Sequence, residues 1–223
     1  MTDSKSSPDF PAVFRALQLW RRDVPDSAVE HIAARYGNSP WAILAATILS
    51  LRTKDEVTVK TASALLDRAP APRAYLALTE NEAEKLAYPA GFYRTKARQL
   101  RAVATIVLDR YGGNVPATMD DLLALPGVGR KTANLVLSVA FGQDAICVDT
   151  HVHRITNRLG WVATKTPEAT EMALRETLPR RFWQAINSLL VLYGQRICCP
   201  ISPFCSRCAV KNFCGQKGVG KSR

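Results

Sequence analysis

Apolar side chains recur along this chain at the three-to-four-residue spacing of helices, and no useful length of it alternates as a half-buried strand would. Val13 to Trp20 carries the first stripe. Pro25-Asp26-Ser27 then breaks the chain and caps a second, Ala28 to Tyr36, which Gly37-Asn38 closes. Ser39-Pro40 opens a third, Trp41 to Leu51, apolar almost all round and therefore expected to be buried on every side. Arg52-Thr53-Lys54-Asp55 marks its end, and Val57 to Leu66 forms a fourth. Two short amphipathic pieces, Ala74 to Leu78 and Asn81 to Leu86, lead to Tyr88-Pro89-Ala90-Gly91-Phe92-Tyr93. Lys96 to Tyr111 then sets Leu100, Val103, Ile106 and Val107 on one face, with basic residues interspersed, before Gly112-Gly113. The pattern predicts an all-α chain.

The densest punctuation lies between Leu122 and His153. Thr118 is an N-cap for a short helix, and Asp121 stands where a capping box needs its third residue. Pro126 prevents that helix from continuing. Gly127 and Gly129 read as tight backbone positions, and a second helix runs from Arg130 through Leu135, Val136 and Val139 to Gly142. Two helices joined by Gly-x-Gly leave bare N–H groups at a helix N-terminus, which suits an anion, and Lys131 sits in the first turn. Taken alone, the glycine pair reads as a helix corner beside a solvated lysine. Asp149, in Val148-Asp149-Thr150-His151-Val152-His153, stands at the cap of a helix reaching Leu159. Pro167 to Thr177 and Arg181 to Tyr193 add two more, the last burying Trp183, Ile186, Leu189 and Leu190.

Composition narrows the reading. A chain of 223 residues, 47% hydrophobic, can bury a real core, and no apolar run approaches membrane-spanning length. A net charge of +11 points to a polyanionic partner without choosing between DNA, RNA and an anionic membrane. Met1 to Phe10 is polar, lacks a secretory apolar segment and is expected to be a mobile tail. The cysteines are accordingly expected as reduced thiols or ligands. Cys198, Cys205, Cys208 and Cys214 are spaced C-x6-C-x2-C-x5-C, and four thiolates in so short a loop suit a soft metal centre. Zinc is the common use of four cysteines, though usually as two C-x2-C pairs, and only one is present here. Cys147 reads as a small core residue, and Cys199 abuts a ligand position.

Leu125-Pro126-Gly127-Val128-Gly129-Arg130-Lys131-Thr132-Ala133-Asn134, followed by Val148-Asp149-Thr150-His151, resembles the helix–hairpin–helix DNA glycosylases, and among them the endonuclease III branch. The cysteine spacing resembles the 4Fe–4S loop of the same branch, so two separate motifs agree over roughly residues 25 to 215. The resemblance implies two all-α lobes with double-stranded DNA in the cleft between them. A six-helix barrel would span 34–143, and a cluster lobe would combine 1–33 with 144–223. It implies that Lys131 is the nucleophile, facing Asp149, which assists it. A lysine forms a Schiff base with the opened sugar and permits β-elimination, so the family expectation is a bifunctional glycosylase and abasic-site lyase acting on oxidised pyrimidines. Gly127, Gly129 and Arg130 would meet the DNA backbone. Ser50 and Asp55 match family positions beside the pocket, and His151 follows the assisting aspartate.

This sequence departs from the family where the flipped base leaves its gap. Arg52 stands for a glutamine, Phe92 for a leucine wedge, and Arg94 lies two places on. Arginine offers only donors and a charge to an orphaned base, which predicts good activity at abasic sites and a narrower range on oxidised bases. An abasic-site lyase, a mismatch glycosylase and a non-catalytic DNA-binding module remain as alternatives, and Lys131 argues against the mismatch glycosylase. Arg196, Arg207, Lys211 and Lys217 are weaker candidates for phosphate contacts. The expected form is a monomer with no membrane association, located in the cytoplasm with the nucleoid if the source is bacterial.

Overall fold

The structure, a computed structural model, describes residues 8–223 and is all-α, with twelve α-helices among the described residues. It divides into two compact units. One is 26–147; the other joins the N-terminal stretch ending at Pro25 to Val148–Arg223.

The 26–147 unit is built on α3 (Pro40–Ser50), whose residues from Trp41 to Leu49 are all buried. Around it pack α2 (Ala28–Tyr36), α4 (Asp55–Arg68), α7 (Tyr93–Tyr111) and α9 (Arg130–Phe141), while α5 (Pro72–Leu76), α6 (Glu80–Ala87) and α8 (Met119–Leu123) close the remaining sides. Local signals set the helix ends. Ser27 and Glu30 form a full capping box for α2, as Thr79 and Glu82 do for α6, and Gly37, Gly112 and Gly142 close helices in the left-handed region. The division falls at Asp26 rather than at 34, because Val29 and Ile32 of α2 are buried in this core. At the other edge it reaches Cys147 rather than 143. Ala145 belongs to the same core, and the Cys147 thiol donates to the Lys131 carbonyl at 3.4 Å.

The other unit holds α1 (Phe10–Arg21), α10 (Thr150–Leu159), α11 (Pro167–Thr177) and α12 (Trp183–Arg196), the last led in by a 3-10 turn at Arg180–Phe182. Aromatic rings knit it. Phe14 stacks on Phe182 at 4.2 Å and on Trp161 at 6.1 Å, and Trp20 meets the Tyr193 ring edge-on at 4.7 Å. The expected tail is shorter than 1–10. Asp9 caps α1 by accepting from the Ala12 amide, and Phe10 is a buried helical residue against Trp161. Residues 1–7 of that expectation lie outside the described residues.

Candidate nucleic-acid interface and metal centre

The helix–hairpin–helix is formed by α8, a turn over 124–129, and α9. Thr118 caps α8 by accepting from the Asp121 amide, and its hydroxyl donates to Asp121 Oδ2 at 2.6 Å. Leu125 and Val128 are buried beneath the turn and anchor it. Gly127 has φ +70°, and a Cβ there would lie 2.4 Å from Nε2 of Gln99, which itself donates to the Pro126 carbonyl at 3.1 Å. The left-handed backbone disfavours a side chain there, and a Cβ would also have to displace the Gln99 amide. Gly129 behaves differently from the expectation of tight geometry. Its backbone is extended (φ −95°, ψ 176°), and a Cβ there would meet nothing within 4 Å. What it contributes is bareness: it is the N-cap of α9, and no side chain caps the first turn. Arg130 and Lys131 are the first two residues of α9, and Lys131 is exposed.

Asp149, 8% exposed, is the N-cap of α10. Its Oδ1 accepts from the amides of His151 and Val152, each at 2.9 Å. His151 turns its Nδ1 toward Nη2 of Arg154 at 3.1 Å, and His153 Nδ1 lies 2.6 Å from the Thr170 hydroxyl within the unit's packing.

The residues expected at the gap of a flipped base lie on two neighbouring turns of the 26–147 unit. Ser50 ends α3 with its hydroxyl committed to the Thr47 carbonyl, and Asp55 begins α4. Arg52 and Phe92 are both exposed, both in the left-handed region at φ 55° and 57°, and the guanidinium carbon lies 5.0 Å from the ring centroid. Arg94 is drawn instead to Glu84 at 3.3 Å and lies over the Tyr93 ring. Between the turns sits Lys96, 5% exposed, whose ammonium donates to the carbonyls of Leu49 and Leu51 and to the Thr53 hydroxyl. Burial lowers its pKa from 10.5 to about 8.

In the other unit, Cys198, Cys205, Cys208 and Cys214 line one hollow of about 280 Å³, including the part open to solvent, together with Arg158, Ile197, Pro203, Phe204, Gln216 and Val219. Donors reach the sulfurs: Arg158 Nη1 to Cys198 at 3.3 Å, the Tyr193 hydroxyl to Cys208 at 3.2 Å, and the Gln216 amide to Cys214 at 3.4 Å. Burial pushes the Cys198 and Cys214 thiols up, and those hydrogen bonds oppose it. Arg158 also donates to the carbonyls of Cys199 and Pro200, and Arg154 to those of Gly194 and Cys198, so α10 holds the start of the loop at Cys198.

The family described as HhH-GPD superfamily base excision DNA repair protein matches residues 45–180. Endonuclease III of Thermotoga maritima is 45% identical over 187 residues, covering 82% of this chain and 88% of its own. The chain belongs to the endonuclease III family. A solved structure of a trapped endonuclease III–DNA covalent intermediate superposes with a TM-score of 0.74 at 32% identity, over 90% of this chain and 96% of that one. A thermostable thymine-DNA glycosylase gives 0.78 at 27% identity, over 92% and 94%.

For this family member, sequence reasoning missed Lys96 and the arginine pair of α10. A signal existed for Lys96, which stands four residues before Leu100 on the same stripe as Val103 and Val107. A basic residue on an apolar stripe is a buried one with partners to find. Arg154 and Arg158 are likewise one turn apart on one face.

Proposed function

We propose that this base-excision-repair DNA glycosylase and abasic-site lyase acts on double-stranded DNA carrying oxidised pyrimidines, with Lys131 as its nucleophile. The observation that carries the reading is the exposed amine of Lys131, one residue inside the uncapped N-terminus of α9, on the hairpin of an endonuclease III family chain. A helix N-terminus suits a phosphate oxygen, which would hold the backbone next to the damaged nucleotide. The target base must leave the stack before its glycosidic carbon is accessible. Neutral Lys131 then attacks that sugar carbon, the bond to the base breaks, and the base departs with the electron pair. The proton shed by the new ammonium passes to a base, the role that the family resemblance gives Asp149. The ring opens to an imine on Lys131; loss of a proton from the adjacent sugar carbon expels the 3′ phosphate, and water returns the free amine.

Cys198, Cys205, Cys208 and Cys214 would hold a 4Fe–4S cluster, which supplies a polynuclear redox-capable centre that also cross-links the loop. The donor set fits. Four sulfurs surround one largely apolar hollow, and donors from Arg158, Tyr193 and Gln216 are in place to neutralise thiolate charge.

Borohydride trapping on a duplex with one abasic site tests the nucleophile. Wild-type protein is expected to give a covalent adduct and cleaved strand, and Lys131→Ala to lose both, with duplex affinity kept within about threefold. Cleavage by Lys131→Ala at the wild-type rate removes Lys131 from the reaction. Base excision without any adduct from wild-type protein favours a monofunctional glycosylase instead.

A further inference from the structure

We infer that Lys96 is a positioning residue whose ammonium ties the turn after α3 to the turn before α7, so that Arg52 and Phe92 enter duplex DNA as one stacked pair. The Lys96 ammonium has three N–H donors, and three acceptors take them: Leu49 O at 2.8 Å, Leu51 O at 2.6 Å and Thr53 Oγ1 at 2.8 Å. The carbonyls belong to the frayed end of α3, where helix carbonyls lack partners and a cation is favourable. Thr53 passes the link on, because its hydroxyl oxygen also accepts from the Gly91 amide at 3.0 Å. The two turns run so close that a Cβ on Gly91 would lie 2.7 Å from the Arg52 carbonyl oxygen. One buried ammonium and one hydroxyl therefore join segments nearly forty residues apart in sequence.

What the link holds is unfavourable by itself. Arg52 and Phe92 both occupy left-handed backbone, which side chains with a Cβ resist, and such conformations persist where the surroundings over-determine them. Phe92 is 62% exposed, with the Arg52 guanidinium over its ring. An exposed aromatic face with an attached cation is suited to base stacking beside a phosphate backbone. Both residues are exposed, so burial does not account for holding both in this conformation.

The inference rests on the DNA-repair reading for its ligand, and its test avoids chemistry. The probe is a duplex containing tetrahydrofuran, an abasic analogue that cannot form a Schiff base, compared with the same duplex undamaged; the readout is the ratio of the two dissociation constants by fluorescence anisotropy. Phe92→Ala should lower that ratio about tenfold. Thr53→Val, which removes the hydroxyl shared by Lys96 and Gly91, should lower it about fivefold, and Thr53→Ser, which keeps the hydroxyl, less than twofold. Thr53→Val added to Phe92→Ala should cost nothing more, because the clamp then has no ring to position. Lys96→Met should match Thr53→Val if it folds; Thr53→Val decides the matter if it does not. Multiplying effects in the double variant, a Thr53→Val ratio equal to wild type, or a Thr53→Ser ratio as low as Thr53→Val would overturn the inference. Wild-type protein that discriminates the tetrahydrofuran duplex yet never cleaves abasic DNA would refute the lyase reading and leave the clamp standing.

Discussion

At the scale of single residues, one carboxylate carries two roles. Oδ1 of Asp149 is committed to the amides of His151 and Val152, so the group proposed to accept a proton also caps α10. The two roles separate by substitution, because asparagine keeps the capping oxygen and loses the charge. Asp149→Asn is expected to leave denaturant stability within a few tenths of a kcal/mol while lowering single-turnover excision at least a hundredfold. Asp149→Ala should lose the rate and, in addition, about 1 kcal/mol of stability. An Asp149→Asn rate equal to wild type in single-turnover assays would leave Asp149 as a cap only. The cap was readable because an aspartate before a helical stripe has few other uses. The reason for Gly129 was not, since a one-letter code does not say whether a glycine is needed for its φ or for its emptiness.

At the scale of elements, sequence placed the helices wherever a cap or a proline fixed their ends. Thr166 and Pro167 start α11, and it runs over Pro167–Thr177 as the pattern indicated. The first helix extends three residues before Val13, because Asp9 supplies a cap that polarity alone disguised as tail. The turns at Cys205–Arg207 and Lys211–Phe213 had no periodicity to announce them. On α7 the difficulty was chemical. Lys96 interrupts an apolar stripe, and its burial has a consequence that can be measured against pH. Its pKa falls from 10.5 to about 8 on folding, with burial the cause. Between those values the unfolded chain binds more protons than the folded one, so folding gains stability as pH rises from about 8 to 10.5. Below pH 8 the full penalty applies, roughly 3 kcal/mol as an upper figure. Denaturant unfolding of wild type and Lys96→Met across this window checks the sign. The wild-type curve should rise relative to the variant, and parallel curves would mean that Lys96 is not held at a lowered pKa.

At the scale of the whole molecule, the two units are ordered by different means. The 26–147 unit has an unbroken apolar centre in α3, and its caps and stripes were visible in sequence because local and tertiary preferences agree there. The stretch from Ile197 to Arg223 has no α-helix and little apolar burial. Arg154, Arg158 and Tyr193 hold it from α10 and α12, and four thiols face inward with nothing in sequence but their spacing to announce it. A loop of this kind would take its stability from the proposed cluster, since ligand binding is then also folding energy. Iron removal by chelation, or Cys205→Ala, is therefore expected to strip amide-exchange protection from 198–223 and lower it across α10 and α12. Protection of Trp41 to Leu49 should stay at its wild-type level, because α3 draws on a separate core. Two cores also mean that thermal unfolding of the variant should no longer be a single transition. Loss of protection should track loss of visible absorbance and of iron by elemental analysis. Zinc in place of iron in the native protein would refute the cluster, and an equal fall of protection in α3 would refute the separation of the cores.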